Sequence, residues 1–346
     1  MQPNRAKIAA GEIWLLTDSR IFGGIDSHII ELAKGLHNHQ QSVRVVLLKQ
    51  YQQHSQLIEK LVGEGIPYSS IDNLLDNKRT FPALVKLIKQ HRPSILHAHG
   101  YKASILCKLA SFFVSCPVAV TYHAGEQPKG MVAVYDFIDR YSAFISPLRF
   151  SVSPAIDKKI PSQTVVLNNF ISMPEPLPNR GKHIAFAGRL SHEKAPDRFI
   201  NLAKEFPQHS FVLYGEGVMR QALQLDAPDN TCLAGYKEMS EVWPQIEVLV
   251  IPSRFEGLPM VALEAMGRMI PVIAMDVGAL NKLIISNQNG WLCQTEVELV
   301  NALHSWIAMS AKQRADMQDN CRETIQCHYS ADKVIPDILN HYRHAI

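Results

Sequence analysis

The 346-residue sequence has no long hydrophobic run and few cysteines. Its longest mainly apolar stretch, residues 109–120, is interrupted by Pro117 and is shorter than the roughly 20 residues that span a bilayer. The apolar run at residues 13–16 is too short for the core of a secretory signal peptide. The six cysteines are scattered without the paired spacing of a metal site. The sequence therefore predicts a cytoplasmic protein with reduced thiols.

Motifs of several common protein classes are also missing. No Gly-x-Gly-x-x-Gly pattern follows the first predicted strand, which argues against a dinucleotide-binding dehydrogenase. No Asp-x-Asp pair is present to hold a divalent ion. His97, His99 and His123 stand at the ends of two predicted strands without an acid at ligand spacing, so we expect no metal and no cofactor there. Dispersed basic residues without a recognition module argue against nucleic-acid binding.

The composition is that of a soluble globular protein, with 47% hydrophobic and 19% charged residues. At roughly 150 residues per domain, the length suits two domains. The net charge of +3 is unevenly distributed, because residues 1–165 hold 19 Lys and Arg against 12 Asp and Glu, and the remainder holds 16 against 20. The basic first half predicts an anionic partner for the first domain.

Predicted strands and helices alternate along the chain, which is typical of α/β domains with parallel sheets. Prolines and turn-forming residues replace this alternation between about residues 170 and 182 and indicate a linker. We therefore predict two Rossmann-like α/β domains, at residues 1–170 and 171–330.

The most informative stretch is residues 251–265, IPSRFEGLPMVALEA. A buried strand is predicted to end at Ile251, and a helix to begin near Pro259. Glu256 then lies in the connecting loop and Glu264 inside the helix, both near the carboxyl end of a strand, where a helix amino terminus favours an anion. The pair suggests recognition of hydroxyl groups around a phosphate. The alternative is a solvated loop acid and an exposed helix acid.

Two further strand-to-helix connections carry candidate ligand-binding residues. Arg189 and Lys194 follow a predicted strand and precede a helix, where two cations are well placed to hold a diphosphate; solvated loop cations are the alternative. Gly23 and Gly24 follow the first strand and let the backbone approach a ligand at a helix amino terminus, although such a turn often serves packing alone.

The two glutamates eight residues apart, around Gly-Leu-Pro and after Pro-Ser-Arg, resemble the EX7E signature of retaining glycosyltransferases, specifically glycosyltransferase family 4. Gly-Arg-Leu followed by Lys194 resembles the family's donor-diphosphate motif. The resemblance covers nearly the whole chain. It implies the GT-B fold, in which two Rossmann-like domains face a central cleft, and a last helix, residues 331–346, that completes the first domain.

The resemblance also implies roles for individual residues. A sugar would pass from a nucleoside diphosphate sugar, expected to be a UDP-sugar, to an acceptor hydroxyl with retained configuration and without a metal. Arg189 and Lys194 would stabilise the leaving diphosphate, and His123 would approach the donor sugar. The remaining candidates would surround the donor. Glu256 would bind its sugar hydroxyls and Glu264 its ribose. The residues expected to lie near its phosphates, base and sugar are Gly23, Gly24, Gly215, Arg220, Gly257 and Leu258.

The chain departs from the family pattern at two positions. Ala195 stands where relatives usually have glycine, and Lys282 where they often have an acid after a Gly-Gly turn. These departures keep open a non-catalytic subunit that binds a nucleotide sugar. An epimerase or phosphorylase of the same fold is a further alternative.

The acceptor is expected to be a sugar or a lipid-linked intermediate of bacterial surface polysaccharide, lipopolysaccharide or glycolipid assembly. The stretch Phe81–His91 predicts an amphipathic helix with Lys86 and Lys89, helped by Lys78 and Arg79. An ordinary surface helix is one interpretation. The other is contact with an anionic membrane, which would make the protein peripheral on the inner face of the cell membrane.

Overall fold

Two parallel sheets organise the chain in the computed structural model, which describes residues 8–20, 22–51, 55–74, 79–123, 130–177 and 181–345. The first compact unit comprises residues 1–172 and 331–346, and the second comprises residues 173–330. Lys78 and the part of the linker at residues 178–180 lie outside the described residues.

The described residues of the first unit form a seven-stranded sheet in the order β3-β2-β1-β4-β5-β6-β7. Every neighbouring pair is parallel. The strands are β1 (Ile13–Thr17), β2 (Val43–Leu47), β3 (Tyr68–Ser70), β4 (Ile95–His99), β5 (Val118–Tyr122), β6 (Leu148–Ser151) and β7 (Val165–Val166). The helices are α1 (Gly24–Asn38), α2 (Gln56–Gly63), α3 (Ile71–Leu74), α4 (Thr80–His91), α5 (Tyr101–Ser111), α6 (Met131–Tyr141) and α7 (Pro154–Asp157), with a 3₁₀ turn at Ala143–Ile145.

The described residues of the second unit form a six-stranded parallel sheet in the order β10-β9-β8-β11-β12-β13. The strands are β8 (His183–Ala187), β9 (Ser210–Tyr214), β10 (Thr231–Gly235), β11 (Ile246–Ile251), β12 (Val272–Met275) and β13 (Gly290–Cys293). The helices are α8 (Pro196–Glu205), α9 (Arg220–Asp226), α10 (Met239–Val242), α11 (Met260–Gly267), α12 (Leu280–Leu283), α13 (Glu296–Ala308) and α14 (Ala311–His328), with a 3₁₀ turn at Trp243–Gln245.

Both sheets are covered by helices, so their strands are apolar on both faces. Successive side chains of β1 point to opposite faces of the sheet. Ile13 and Leu15 pack with α1 and α2, whereas Trp14 and Leu16 pack with α4 and α5. The strand orders are those of doubly wound folds, in which the order reverses at β1/β4 and at β8/β11. The prediction of two Rossmann-like α/β domains is confirmed.

The last helix, α15 (Ala331–Ala345), packs on the first unit. Its Ala331 N–H donates to the carbonyl oxygen of Ile171 at 2.8 Å, and Ile335 and Tyr342 enter the core formed by α1 and β1. None of the helices within the described residues is long and apolar enough to cross a membrane.

Candidate functional site

The point where strand order reverses in the second sheet brings two predicted loops to one edge. β8 and β11 are parallel neighbours, and their carboxyl ends lead into residues 188–195 and 252–259. Helices that follow the two strands lie on opposite faces of such a sheet, which leaves a crevice at the strand ends. The predicted cations and the loop acid therefore share this edge.

Lys194 and Glu256 join these two loops. The Lys194 Nζ lies 2.7 Å from both carboxylate oxygens of Glu256, and the Ser253 hydroxyl donates to Glu256 Oε1 at 2.7 Å. The Glu256 side chain is 7% exposed and that of Lys194 is 31% exposed. Glu256 is thus a fixed carboxylate, while its lysine partner reaches the surface of the crevice. Arg189 is exposed at the start of the same loop.

Arg254, which the sequence interpretation passed over, links the same two loops a second time. Its guanidinium donates to both carboxylate oxygens of Asp197, at 3.0 and 2.5 Å, and its N–H donates to the Glu193 carbonyl at 2.8 Å. Such a two-bond arginine–carboxylate contact fixes orientation as well as distance. In the sequence, only its position between Ser253 and Glu256 indicated that Arg254 belongs to the site.

The loop with Glu256 rests on the turn before α12. A Cβ added to Gly278 would lie 2.3 Å from the carbonyl oxygens of Glu256 and Gly257, and the Ala279 N–H donates to the Gly257 carbonyl at 2.8 Å. At Gly257 itself the Cβ position is open. Leu258 is buried and anchors the loop in the core.

Glu264 lies in the second turn of α11, which begins at Met260 with Pro259 as its N-cap. Its side chain is half-buried, and its backbone carbonyl accepts a bond from Arg268 at 2.9 Å. The predicted placement of Glu256 in the loop and Glu264 in the helix is therefore observed.

Ala195 stands where relatives usually have glycine, and it adopts a backbone conformation that glycine favours. It is fully buried and adopts the left-handed conformation, with φ 52° and ψ 49°, as the N-cap of α8. The left-handed region costs a non-glycine residue on the order of 1–2 kcal/mol. The loop thus keeps the backbone shape that glycine favours and holds it with an alanine.

Gly215 directly follows β9, and Arg220 is the first residue of α9. Gly215 has φ 144°, and a Cβ there would lie 1.9 Å from the Gly188 carbonyl oxygen; its N–H donates to the Gly235 carbonyl at 2.8 Å. Packing between loops therefore accounts for this glycine, and its N–H is already used. Arg220 donates to Glu216 at 3.0 Å and to the Leu233 carbonyl at 3.2 Å, and it remains partly exposed.

In the first unit, Gly23 is the N-cap of α1 and Gly24 its first residue, in the connection that follows β1. The Cβ positions of both glycines are open, and neither residue has a positive φ. The Gly23 N–H donates to the buried Asp26 carboxylate at 2.9 Å. Within the described residues, neither packing nor backbone conformation requires these glycines; that a ligand approaches them stays a prediction.

A chain of histidines lies beside this turn. The Nε2 of His123 is 3.0 Å from the Nδ1 of His99, and the rings of His28 and His123 meet edge to face with centroids 4.7 Å apart. His28 is held by the Asn169 Oδ1 at 3.1 Å. Burial lowers the pKa of His99 and of His123 well below the ordinary value and that of His28 to about 4, so these rings are neutral at physiological pH.

His97 is a buried packing residue beside His99. Its ring bridges the Tyr342 hydroxyl at 2.5 Å and the Thr121 hydroxyl at 2.7 Å, and it is 1% exposed. Burial lowers its pKa to about 3. It therefore ties β4 to α15.

Three of these histidines could hold a metal ion. His28, His99 and His123 each offer a ring nitrogen, and the three nitrogens lie within 4.8 Å of one another. Among the described residues, the buried Nε2 of His99 has no hydrogen-bond partner. The sequence interpretation grouped His97, not His28, with the other two; that no metal binds stays a prediction. His28 is missed because its partner Asn169 is 141 residues away in sequence.

A polar network also lies at the order reversal of the first sheet. The Tyr51 hydroxyl donates to Asp18 at 2.9 Å, and the Lys102 Nζ lies 3.2 Å from the same carboxylate. These residues follow β1, β2 and β4, which the sequence interpretation did not connect.

Two family profiles match the chain. The profile of Glycosyltransferase Family 4 matches residues 22–172, and that of Glycosyl transferases group 1 matches residues 169–324. The chain is 22% identical over 327 residues to an Escherichia coli UDP-Gal:alpha-D-GlcNAc-diphosphoundecaprenol alpha-1,3-galactosyltransferase, covering 78% of this chain and 80% of that enzyme. It is 25% identical over 222 residues to the E. coli O-antigen biosynthesis glycosyltransferase WbnH, covering 59% of this chain and 64% of that protein.

Solved structures share the fold at lower sequence identity. Anabaena HepE in complex with UDP matches with a TM-score of 0.79 and 17% identity, over 95% of this chain and 98% of that chain. TarM of S. aureus matches with a TM-score of 0.79 and 13% identity, over 96% of this chain and 98% of that chain.

Proposed function

Because the chain belongs to glycosyltransferase family 4, we propose that it moves a sugar from a UDP-sugar to a hydroxyl of a lipid-linked saccharide, with retained configuration and without a metal ion. The chain is a glycosyltransferase with the GT-B class of fold, as the sequence resemblance predicted. The E. coli galactosyltransferase is named for a UDP-sugar donor and a diphosphoundecaprenol-linked acceptor. HepE has been solved with UDP and with UDP-glucose. These names support the proposed donor and acceptor classes and a role in surface polysaccharide assembly.

The observation that carries the proposal is the Lys194–Glu256 pair across the order reversal of the second sheet. Breaking the bond between sugar and phosphate builds negative charge on the diphosphate. A lysine already held at this edge, with Arg189 exposed nearby, would stabilise that charge without a divalent ion. Glu256 would then bind hydroxyls of the donor sugar, and Glu264 those of the ribose.

The contacts of Glu256 favour a binding role over a covalent one. Its carboxylate accepts bonds from Lys194 and from Ser253, and both bonds withdraw charge from the oxygens. A carboxylate engaged in this way is a weak nucleophile, which supports attack of the acceptor on the same face that the diphosphate leaves.

The open glycine turn and His123 are proposed to act from the first unit. The open Cβ positions at Gly23 and Gly24 leave room for the donor phosphates or the acceptor. Half-buried His123 is neutral, so it would offer a hydrogen bond and no charge. In the second unit, Gly257 and Arg220 are proposed to line the donor, and Leu258 and Gly215 to hold the loops that surround it.

Named relatives favour transfer over the other classes considered. The two E. coli proteins that match over 78% and 59% of this chain are named as glycosyltransferases, which does not favour the epimerase, phosphorylase and non-catalytic alternatives.

The test is donor turnover and thermal stabilisation with UDP-, GDP-, ADP- and CMP-sugars, with and without EDTA. We expect stabilisation by a UDP-sugar that EDTA does not alter. Lys194→Ala and Glu256→Gln should each lower kcat/KM by about 10²–10³, on the order of 3–4 kcal/mol. Lys204→Ala is the matched control, because Lys204 forms an exposed ion pair with Asp226 in the same unit. Activity within about threefold of wild type for both site variants would exclude this site.

A further inference from the structure

Helix α6 exposes its apolar side and buries its acids. Asp136 and Asp139 are 6% and 3% exposed, whereas Phe137 is 54% exposed. A surface helix of a soluble protein normally has the opposite arrangement. The exposed apolar residues of the helix include Met131, Val134, Tyr135, Phe137, Ile138 and Tyr141.

Buried charges fix this orientation. Lys108 of α5, 1% exposed, lies 2.7 Å from the Asp139 carboxylate and donates to the Asp139 carbonyl at 2.7 Å. The Ser104 hydroxyl also donates to Asp139, and Arg140 pairs with Asp136. Rotating α6 to bury its apolar side would leave Lys108 buried without its counter-charge, which is strongly destabilising.

The apolar surface continues onto neighbouring elements. Phe112 and Phe113, at the end of α5, are 68% and 59% exposed, and Phe144 after α6 is 72% exposed. Phe113 also contacts Phe81 at the start of α4, with ring centroids 5.8 Å apart. We call Phe112, Phe113, Phe144 and the exposed residues of α6 the aromatic face. Contiguous exposed apolar surface of this kind marks an interaction site.

The chain around this face is basic. The sequence has no acidic residue between Asp76 and Glu126, a stretch that contains α4 and α5. Lys86, Lys89 and Arg92 are exposed there, and α4 packs on the same face of the sheet as α5 and the turn after α6. The apolar side of α4 itself is buried in the core, so α4 contributes cations only.

We propose that the aromatic face docks on an anionic lipid bilayer, with its rings in the headgroup region and the α4 cations against the surface charge. A second copy of the chain fits less well, because a symmetric contact through this face would bring the like charges of α4 together. The inference rests on the proposed function only in one respect: a lipid-linked acceptor would be located at the membrane surface.

The experiment is co-sedimentation with vesicles of phosphatidylcholine alone or with phosphatidylglycerol. We expect binding to the anionic vesicles. The double variant Phe112→Ser/Phe137→Ser should lower the partition coefficient at least tenfold, and Lys86→Gln/Lys89→Gln should lower it about fivefold per lysine in low salt. Leu225→Ser is the matched control, because Leu225 is an exposed apolar residue of the second unit. A circular dichroism melt shows that each variant is folded.

Three outcomes would overturn the docking proposal: no binding of wild type to anionic vesicles, equal binding of the aromatic double variant, or a wild-type dimer that this variant dissolves without any vesicle binding. Donor hydrolysis in solution separates this from the proposed function, because the double variant should retain it. Vesicle binding without turnover of any donor would refute the proposed function and leave docking intact.

Discussion

Asp26 is a buried carboxyl in the first turn of α1, directly beside the glycine pair. Burial raises its pKa to about 6 from the ordinary 3.8, although hydrogen bonds from Ser19 and the Gly23 N–H lower it. Because the folded pKa is the higher one, this group favours folding most below about pH 4, and that contribution is lost as the pH rises through the folded pKa. At neutral pH the ionised carboxylate therefore destabilises the first unit.

Asp26→Asn should remove this pH dependence. Relative to wild type, the variant should gain unfolding free energy between pH 4 and pH 7, by about 3 kcal/mol, since one pKa unit corresponds to about 1.36 kcal/mol. Urea unfolding at several pH values measures the difference. Asp337→Asn, an exposed acid on α15, serves as the control and should show no such trend. A constant difference for Asp26→Asn across this range would contradict the assignment.

The residues of the site differ in how far the sequence could predict them. Lys194 and Glu256 follow strands at fixed short distances, so the edge they share follows from sheet topology. Their direct bond, and the second link through Arg254, depend on side-chain geometry that spacing does not contain. His28 needed Asn169 to be recognised, and no local pattern connects residues 141 positions apart.

Among the elements, the turn before α12 supports the Glu256 loop through Gly278. This glycine has φ 65°, and a Cβ there would lie 2.3 Å from the Glu256 carbonyl oxygen. The neighbouring Gly257 has open space around its Cβ position. Close packing therefore requires glycine at residue 278 but not at residue 257. Alanine substitutions at the two positions should have different effects on stability.

Gly278→Ala should lower both stability and activity, because the methyl group displaces the loop backbone; we expect a loss of about 2 kcal/mol or more. Gly257→Ala should keep the melting temperature and lower donor turnover, since Gly257 is proposed to approach the donor. Thermal melts and donor kinetics on the two variants check this. Equal melting temperatures for both variants would refute the support role of Gly278.

Helix α6 shows why element orientation was harder to predict than element order. The alternation of strands and helices predicted the parallel sheets, because each apolar run can be recognised from a short stretch of sequence. The usual rule that a helix buries its apolar side fails for α6, since the Lys108–Asp139 pair sets the rotation. The predicted membrane helix at residues 81–91 has the ordinary orientation, with its apolar side in the core.

At the scale of the whole molecule, the first unit is built from both ends of the chain. Gly35 of α1 faces Ile335 of α15, and a Cβ on Gly35 would lie 2.5 Å from the Ile335 side chain. His97 of β4 is bonded to Tyr342 of the same closing helix. The family resemblance, not the hydrophobic pattern, gave reason to expect α15 in the first unit, because periodicity shows which side of a helix is buried but not against which sheet.

Gly35→Ala should therefore destabilise the protein even though alanine is the better helix former. Overpacking against Ile335 costs about 1–3 kcal/mol, and the helix-propensity gain of about 1 kcal/mol offsets only part of it. Gly63→Ala at the end of α2, where the Cβ position is open, should be neutral or slightly stabilising. Ile335→Ala, which makes room, should lose less stability in the Gly35→Ala background than in wild type. Strict additivity of the two substitutions in denaturant unfolding would show that α1 and α15 do not meet at this contact.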